Sequence, residues 1–162
     1  MGEHPAATIR PGTAADVPGI HRMLRAMAEE MGELARVSST PEDLLRHGFS
    51  DAPLYRSLIA ERDGKAVGFC LYFPSFSSWR GTPGVYILDI YVASEERGTG
   101  LAQRLMRGTA SEAGQSGAEF MRLSVRRDNA AARRFYASMG LHLAEHECIY
   151  MAIGPAFAAL KE

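Results

Sequence analysis

Apolar positions recur at helical spacing in some stretches of this chain and as strand-like runs in others, and the changes mark out the elements. Residues 7–10 (ATIR) read as a short strand stopped by Pro11-Gly12. Val17, Ile20, Met23, Leu24, Met27, Met31 and Leu34 then repeat at helical spacing, which predicts an amphipathic helix within 14–34. Thr13 precedes it as an N-cap, with Asp16 three residues on as a weaker relative of the capping box. Thr40-Pro41 opens a second short helix, with proline in its tolerated first-turn place and Leu44, Leu45 and Phe49 as the apolar side. At residue 57 the period changes. SLIAER (57–62), the turn signal Asp63-Gly64 and KAVGFCLYF (65–73) predict a hairpin. PSFSSWRGTPG (74–84) reads as a loop. VYILDIYV (85–92) is an apolar run with one charge, Asp89, as in a strand covered on both faces.

The second half repeats the alternation of strand and helix. EERGTG (95–100) is a glycine-bearing turn, and Leu101, Leu105, Met106, Thr109 and Ala113 keep helical spacing to about Ser116. FMRLSV (120–125) predicts another strand. Asn129 is a strong N-cap for a helix striped by Ala132, Phe135, Tyr136 and Met139, and Gly140 sits where a C′ glycine belongs. HLAEHECIYMAI (142–153) alternates loosely and reads as a last strand or pair of strands. The order is that of an α/β (α+β) domain on a single mixed sheet, and 1–162 reads as one domain.

Composition narrows the function classes. Of the 162 residues, 46% are hydrophobic and 23% charged, which is the balance of a globular chain. A net charge of −1 lacks the basic excess that coating nucleic-acid phosphates needs. No apolar run is long enough to span a membrane, and MGEHPAATIRPG has neither a charged n-region nor an apolar h-region. Two cysteines far apart, Cys70 and Cys148, make no disulfide framework, so a cytoplasmic enzyme is expected. The histidines (4, 21, 47, 142, 146) show no metal spacing with partners, so no metal is expected. Charge is unevenly placed: residues 97–134 hold 8 Arg against Glu112, Glu119 and Asp128, a local +5.

Two segments carry candidate chemistry. A turn with Gly98 and Gly100 between a strand and a helix points unpaired N–H groups at one spot, where the helix dipole adds positive potential. It is no Walker loop, since G-x-x-x-x-G-K-S/T is absent, and it lacks the last small residue of a dinucleotide fingerprint. The second segment is NAAARRFYASMG (129–140). Tyr136 lies two turns beyond Asn129 on one helix, so both can face one cleft.

In this order the two segments resemble the GNAT superfamily of N-acetyltransferases. Its pattern Q/R-x-x-G-x-G/A matches Arg97-Gly98-Thr99-Gly100-Leu101-Ala102, and its later helix matches Asn129, Ala132, Phe135-Tyr136 and Gly140. The opening TIRPGTAADVPGI is similar to the family's first strand and helix, so the resemblance runs from about Thr8 to Ile153. It implies a mostly antiparallel sheet flanked by helices, with two parallel strands, 85–92 and 120–125, splayed around acetyl-CoA. It implies that the backbone of Ile90, Tyr91 and Val92 pairs with the pantetheine arm. Amides of Arg97, Gly98, Thr99, Gly100, Leu101 and Ala102 would hold the pyrophosphate, with Asn129 and Arg133 as further cofactor contacts. Tyr136 would protonate the departing thiolate, and no covalent enzyme intermediate is needed.

LYFPSFSSWRGTPGVYILDIYV looks like the diamine (spermidine/spermine) N-acetyltransferase branch through Tyr72-Phe73, Phe76, Trp79, Gly81, Tyr86 and Asp89. One position departs: the family's Glu before the Asp is Leu88 here. On a regular strand 88 and 89 point to opposite faces, so Asp89 replaces that Glu only if a bulge turns it. The resemblance makes the acceptor a small primary amine, polyamine-like or an amino-acid derivative, touched by Glu30, Trp79 and Asp89. Glu29 and Glu33 are further carboxylates at the end of the first helix. Acylation of a protein N-terminus or an antibiotic amine, and a non-catalytic CoA-binding module, stand as alternatives. A homodimer is expected, without nucleic-acid or membrane partners.

Overall fold

The computed structural model describes residues 6–161. Residues 1–5, which include His4 and much of the segment read as carrying no secretory signal, lie outside the described residues, as does Glu162. By internal contacts the chain divides into two compact units, one ending at Ser124 and one beginning at Val125.

The first unit holds a five-stranded sheet in the order β1-β2-β3-β4-β5. The strands are β1 (Thr8–Pro11), β2 (Arg56–Arg62), β3 (Lys65–Ser77), β4 (Thr82–Val92) and β5 (Phe120–Leu123). The first three pairings are antiparallel and β4–β5 is parallel. Between β1 and β2 lie α1 (Val17–Glu30) and α2 (Pro41–Gly48), and α3 (Leu101–Gln115) is the crossover from β4 to β5.

Sequence signals explain most boundaries. Asp16 accepts a bond from the Thr13 amide at 2.7 Å, and Thr40 caps α2, accepting from the Asp43 amide at 3.2 Å. The first helix ends sooner than its apolar spacing predicts. Gly32 takes a left-handed φ of 68°, and Leu34–Arg36 is a separate 3-10 turn. Asp63 and Gly64 both have positive φ, 51° and 73°, the backbone of a primed two-residue hairpin turn.

Two expectations fail. Residues 74–84 are not a loop: β3 runs to Ser77 and β4 starts at Thr82, so the hairpin is longer than expected. Pro74 argues against a strand interior, yet β2 pairs with β3 only as far as Tyr72, so Pro74 sits where β3 has a free edge. The second failure is 142–153, where no strand forms. Ile149, Tyr150, Met151 and Ile153 are all exposed there. Loose alternation assigns side chains to faces but supplies no neighbouring strand to take up the backbone hydrogen bonds.

Helices cover both faces of the sheet. Ile20 and Met23 of α1 join Tyr55, Ile59, Phe69, Leu71 and Tyr91 in one buried cluster, with Leu44 of α2 against it. On the opposite face Leu105, Met106 and Thr109 of α3 are fully buried, and α3 packs on β2, β3 and β4. Cys70 is buried in the sheet, and burial pushes its thiol up to about 12, as suits an inert apolar filler. The second unit contains α4 (Ala130–Ser138) and α5 (Pro155–Ala159).

Glycine substitutions of opposite sign test this packing. A Cβ at Gly68 would lie 2.9 Å from the Tyr91 carbonyl oxygen, whereas one at Gly114 in α3 meets nothing within 4 Å. Gly68→Ala is expected to destabilise the protein by about 1–3 kcal/mol. Gly114→Ala is expected to stabilise it by about 0.5–1 kcal/mol, since alanine restricts the unfolded chain. Urea unfolding of the two variants checks both, and equal effects would mean that β3 and β4 are more loosely packed than described.

Candidate functional site

Two β-bulges shape one end of the sheet. On β4, Tyr72 pairs with Ile87 and Leu71 with Asp89, leaving Leu88 without a partner. Adjacent residues of β3 face opposite ways, so Ile87 lies on the α3 face and Asp89 on the α1 face. On a regular strand they would share a face. The bulge that the sequence left as a condition is therefore present, and it turns Asp89 toward the side covered by α1 and α2. Leu88 is exposed, and Asp89 is part-buried with its pKa raised by burial.

The same place is where β4 and β5 part. Their pairing runs from Gly84↔Phe120 to Ile87↔Leu123, and β4 continues to Val92 without it. Leu88–Val92 therefore has an edge free of strand pairing toward β5, available to an extended ligand. Just beyond the last pair, the Tyr86 hydroxyl and the Ser124 hydroxyl hydrogen-bond across the mouth of the gap.

Beyond Val92 the chain makes the glycine turn and enters α3. Gly98 and Gly100 have φ values of 78° and 80°, left-handed backbone that favours glycine. A Cβ at Gly98 would meet nothing within 4 Å, and one at Gly100 would come no nearer than 4.0 Å to a neighbour. The space over both glycines is thus open rather than filled by protein. The first bond of α3 runs from the Arg104 amide to the Gly100 carbonyl at 3.1 Å, so the amides of Leu101, Ala102 and Gln103 precede it without intrahelical partners. Open space lined by free amides at the start of a fifteen-residue helix suits a phosphate.

The turn is anchored from below. The second bulge, at Val67, presents a carbonyl that accepts from the Ala93 amide at 2.9 Å. Glu96 is buried, and its two carboxylate oxygens accept from Arg62 Nε at 2.7 Å and Nη2 at 2.8 Å. Thr99 donates its hydroxyl to the Glu96 carbonyl at 2.7 Å. Arg97 donates to the Val92 carbonyl and to the Glu30 carboxylate. Burial would lift the Glu30 carboxyl, but bonds from Arg97 and the Tyr91 hydroxyl hold it below its ordinary value. The Arg62–Glu96 pair had no signal in the sequence, because its members are 34 residues apart.

Ile90, Tyr91, Val92, Arg97, Gly98, Thr99, Gly100, Leu101 and Ala102 thus lie together along the end of β4 and the turn, with Glu30 bonded to them and Asp89 at the bulge. Trp79 does not join them. It is fully exposed at the hairpin turn, roughly 20 Å along the strand from Asp89 at ~3.3 Å per residue. In the second unit, Asn129 caps α4 as expected, its side chain accepting from the Ala132 amide at 3.0 Å. Arg133 donates to the Arg127 carbonyl, and the Tyr136 ring packs edge-on against Phe135. Among the described residues, no group of three or more His, Cys, Asp or Glu is arranged to hold a metal ion, and no helix is long and apolar enough to cross a membrane.

Comparison with known proteins agrees with this geometry. Residues 20–141 match the profile of the Acetyltransferase (GNAT) family. The chain is 32% identical over 140 residues to thialysine N-epsilon-acetyltransferase of Bos taurus, covering 82% of each protein. It is 33% identical over 139 residues to the human spermidine/spermine N(1)-acetyltransferase-like protein 1, covering 82% of this chain and 20% of that protein. An integron cassette protein of V. cholerae shares the fold, with a TM-score of 0.80 at 20% identity over 97% of this chain and 98% of that one.

The burial of Asp89 has a thermodynamic consequence. A carboxyl whose pKa rises on folding adds stability at low pH that is lost as pH climbs through its folded value. At neutral pH the charged form is a burden, and Asp89→Asn removes it. The variant is expected to melt higher than wild type at pH 7 and to lose that advantage at pH 3, below the ordinary value of 3.8. An unchanged melting temperature at pH 7 would place the carboxylate in water.

Proposed function

The chain belongs to the acetyltransferase (GNAT) family, and on that premise we propose that it moves an acetyl group from acetyl-CoA to a primary amine of a small molecule, polyamine-like or an amino-acid derivative. The observation that carries the reading is the run of open β4 edge, Leu88–Val92, leading directly into the open glycine turn. The residues fit the cosubstrate. The edge suits the amide-bearing pantetheine arm, the amides of Gly98–Ala102 suit its pyrophosphate, and the +5 excess of 97–134 suits its phosphate charge. When bound, acetyl-CoA supplies an activated thioester.

The remaining chemistry is proton management. An alkylamine with a pKa of about 10.4 is mostly protonated at neutral pH, and freeing its lone pair costs roughly 4–5 kcal/mol. Asp89, turned to the α1 face by the bulge, is the carboxylate that draws that proton, directly or through a water. Asn129 and Arg133 are assigned to the cofactor and Tyr136 Oη to the proton delivered at the departing sulfur, on the strength of the motif they share. The same reading gives a cytoplasmic enzyme, acting as a homodimer without nucleic-acid or membrane partners. Leu88 in place of the family's Glu favours one second reading, a CoA-binding module without turnover. A thiol-release assay over a panel of amines separates the two: release with an amine supports the enzyme, and CoA binding with no release on any amine overturns it.

Binding is checked by heat. CoA at one hundred times its Kd is expected to stabilise the protein by about 2.7 kcal/mol. Gly100→Val, which puts a branched side chain into the open space at a φ of 80°, should abolish most of that shift. A full shift in the variant would displace the phosphate from the turn.

Tyr136→Phe keeps the ring and removes the hydroxyl. Turnover at saturating substrates is expected to fall by roughly 10²–10⁴-fold, the share of a positioned acid, with little change in acetyl-CoA affinity. A near-normal rate, with at most the ~1 kcal/mol stability loss of a missing hydrogen bond, would assign the hydroxyl to packing alone.

A further inference from the structure

Glu30, the last residue of α1, reaches across to two residues far along the chain. Its Oε1 accepts from the Tyr91 hydroxyl at 2.8 Å and its Oε2 from Arg97 Nη2 at 2.6 Å. Arg97 also donates Nε–H to the Val92 carbonyl at 3.1 Å and lies over the Tyr91 ring, 5.5 Å from its centroid. One guanidinium is therefore fixed on three sides, by a carboxylate, a backbone oxygen and an aromatic face. The pair is half-exposed, at 48% for Arg97 and 43% for Glu30, and half-exposed pairs add little to the stability of a fold. Its effect lies in what it orients. Arg97 immediately precedes Gly98, which brings no side chain to the turn. Arginine has five N–H donors in a rigid fork, and these two bonds engage two of them.

We propose that Glu30 is a positioning residue for the cofactor turn, holding the Arg97 guanidinium where its remaining donors meet the phosphates of CoA, rather than a contact for the acceptor amine. This rests on reading 97–102 as the phosphate site. The pair sets the rotamer of Arg97 before the ligand arrives and joins the end of α1 to the end of β4. The proposal has a distinctive sign. On charge alone, removing a carboxylate beside an anion site tightens anion binding. Removing one that orients the anion's arginine weakens it. An acceptor contact leaves CoA affinity where it was.

The test is calorimetric titration of CoA, with no acceptor present, into wild type, Glu30→Gln, Arg97→Gln and the double variant, with melting curves confirming that each is folded. Glu30→Gln is expected to raise the CoA Kd about threefold to tenfold, the range of a modest pairwise coupling. Because Glu30 acts through Arg97, the double variant should bind no worse than Arg97→Gln alone. Glu30→Asp, which keeps the charge on a shorter stem, should fall between wild type and Glu30→Gln. Unchanged or tighter binding by Glu30→Gln, or effects that add in the double variant, would overturn the proposal while leaving the phosphate site intact. Wild type that binds no CoA would overturn the reading of the turn itself.

Discussion

Leu88 has no partner on β3, and the consequences of that one unpaired residue spread through the site. An extra residue in one strand of an antiparallel pair bends that strand and raises its local twist. Here the bend falls one residue past the last pair that β4 makes with β5, Ile87↔Leu123. Strand divergence and the reorientation of Asp89 therefore occur at the same place. A regular β4 would continue along β5, close the edge proposed for the pantetheine arm, and carry Asp89 on the α3 face beside Ile87.

The packing around the bulge makes its position hard to shift. Leu71 and Tyr91 belong to the buried cluster on the α1 face, while Ile87 is buried on the other. Moving the register by one residue would exchange the two faces and expose both sets. Gly68, opposite Val92, leaves no room for even a methyl group beside the Tyr91 carbonyl. The hairpin thus holds its irregularity in place by burying regular neighbours on either side of it.

Local chemistry was readable in the sequence wherever one residue type has one strong reason to be there. Thr40-Pro41 opens α2 and Asn129 accepts the cap bond expected of it, Asp63-Gly64 makes the tight turn, and Gly98 and Gly100 take the left-handed backbone that only glycine adopts readily. Properties that depend on partners were not readable. Pro74 signals a break unless it is known that β2 has already ended, and the alternation at 142–153 signals a strand only if another strand lies beside it. The bulge could be named as a condition on Asp89 but not located, since VYILDIYV reads the same with or without an unpaired residue. Glu30 was found as a carboxylate near the site, but its engagement with Arg97, 67 residues away, is a product of the fold.

The part-buried Arg62–Glu96 pair ties the glycine turn to the end of β2 and so limits the turn's freedom. Fixing a residue's backbone costs about 1–2 kcal/mol in conformational entropy, so a flexible loop that closes on its ligand subtracts that sum from its affinity. In this protein Glu96 is clamped to the end of β2, Ala93 is tied to Val67 and Thr99 is tied back to Glu96 before any ligand arrives. On the proposed reading of the turn, a phosphate meets amides already held in place, and little of its binding energy goes into organising the protein.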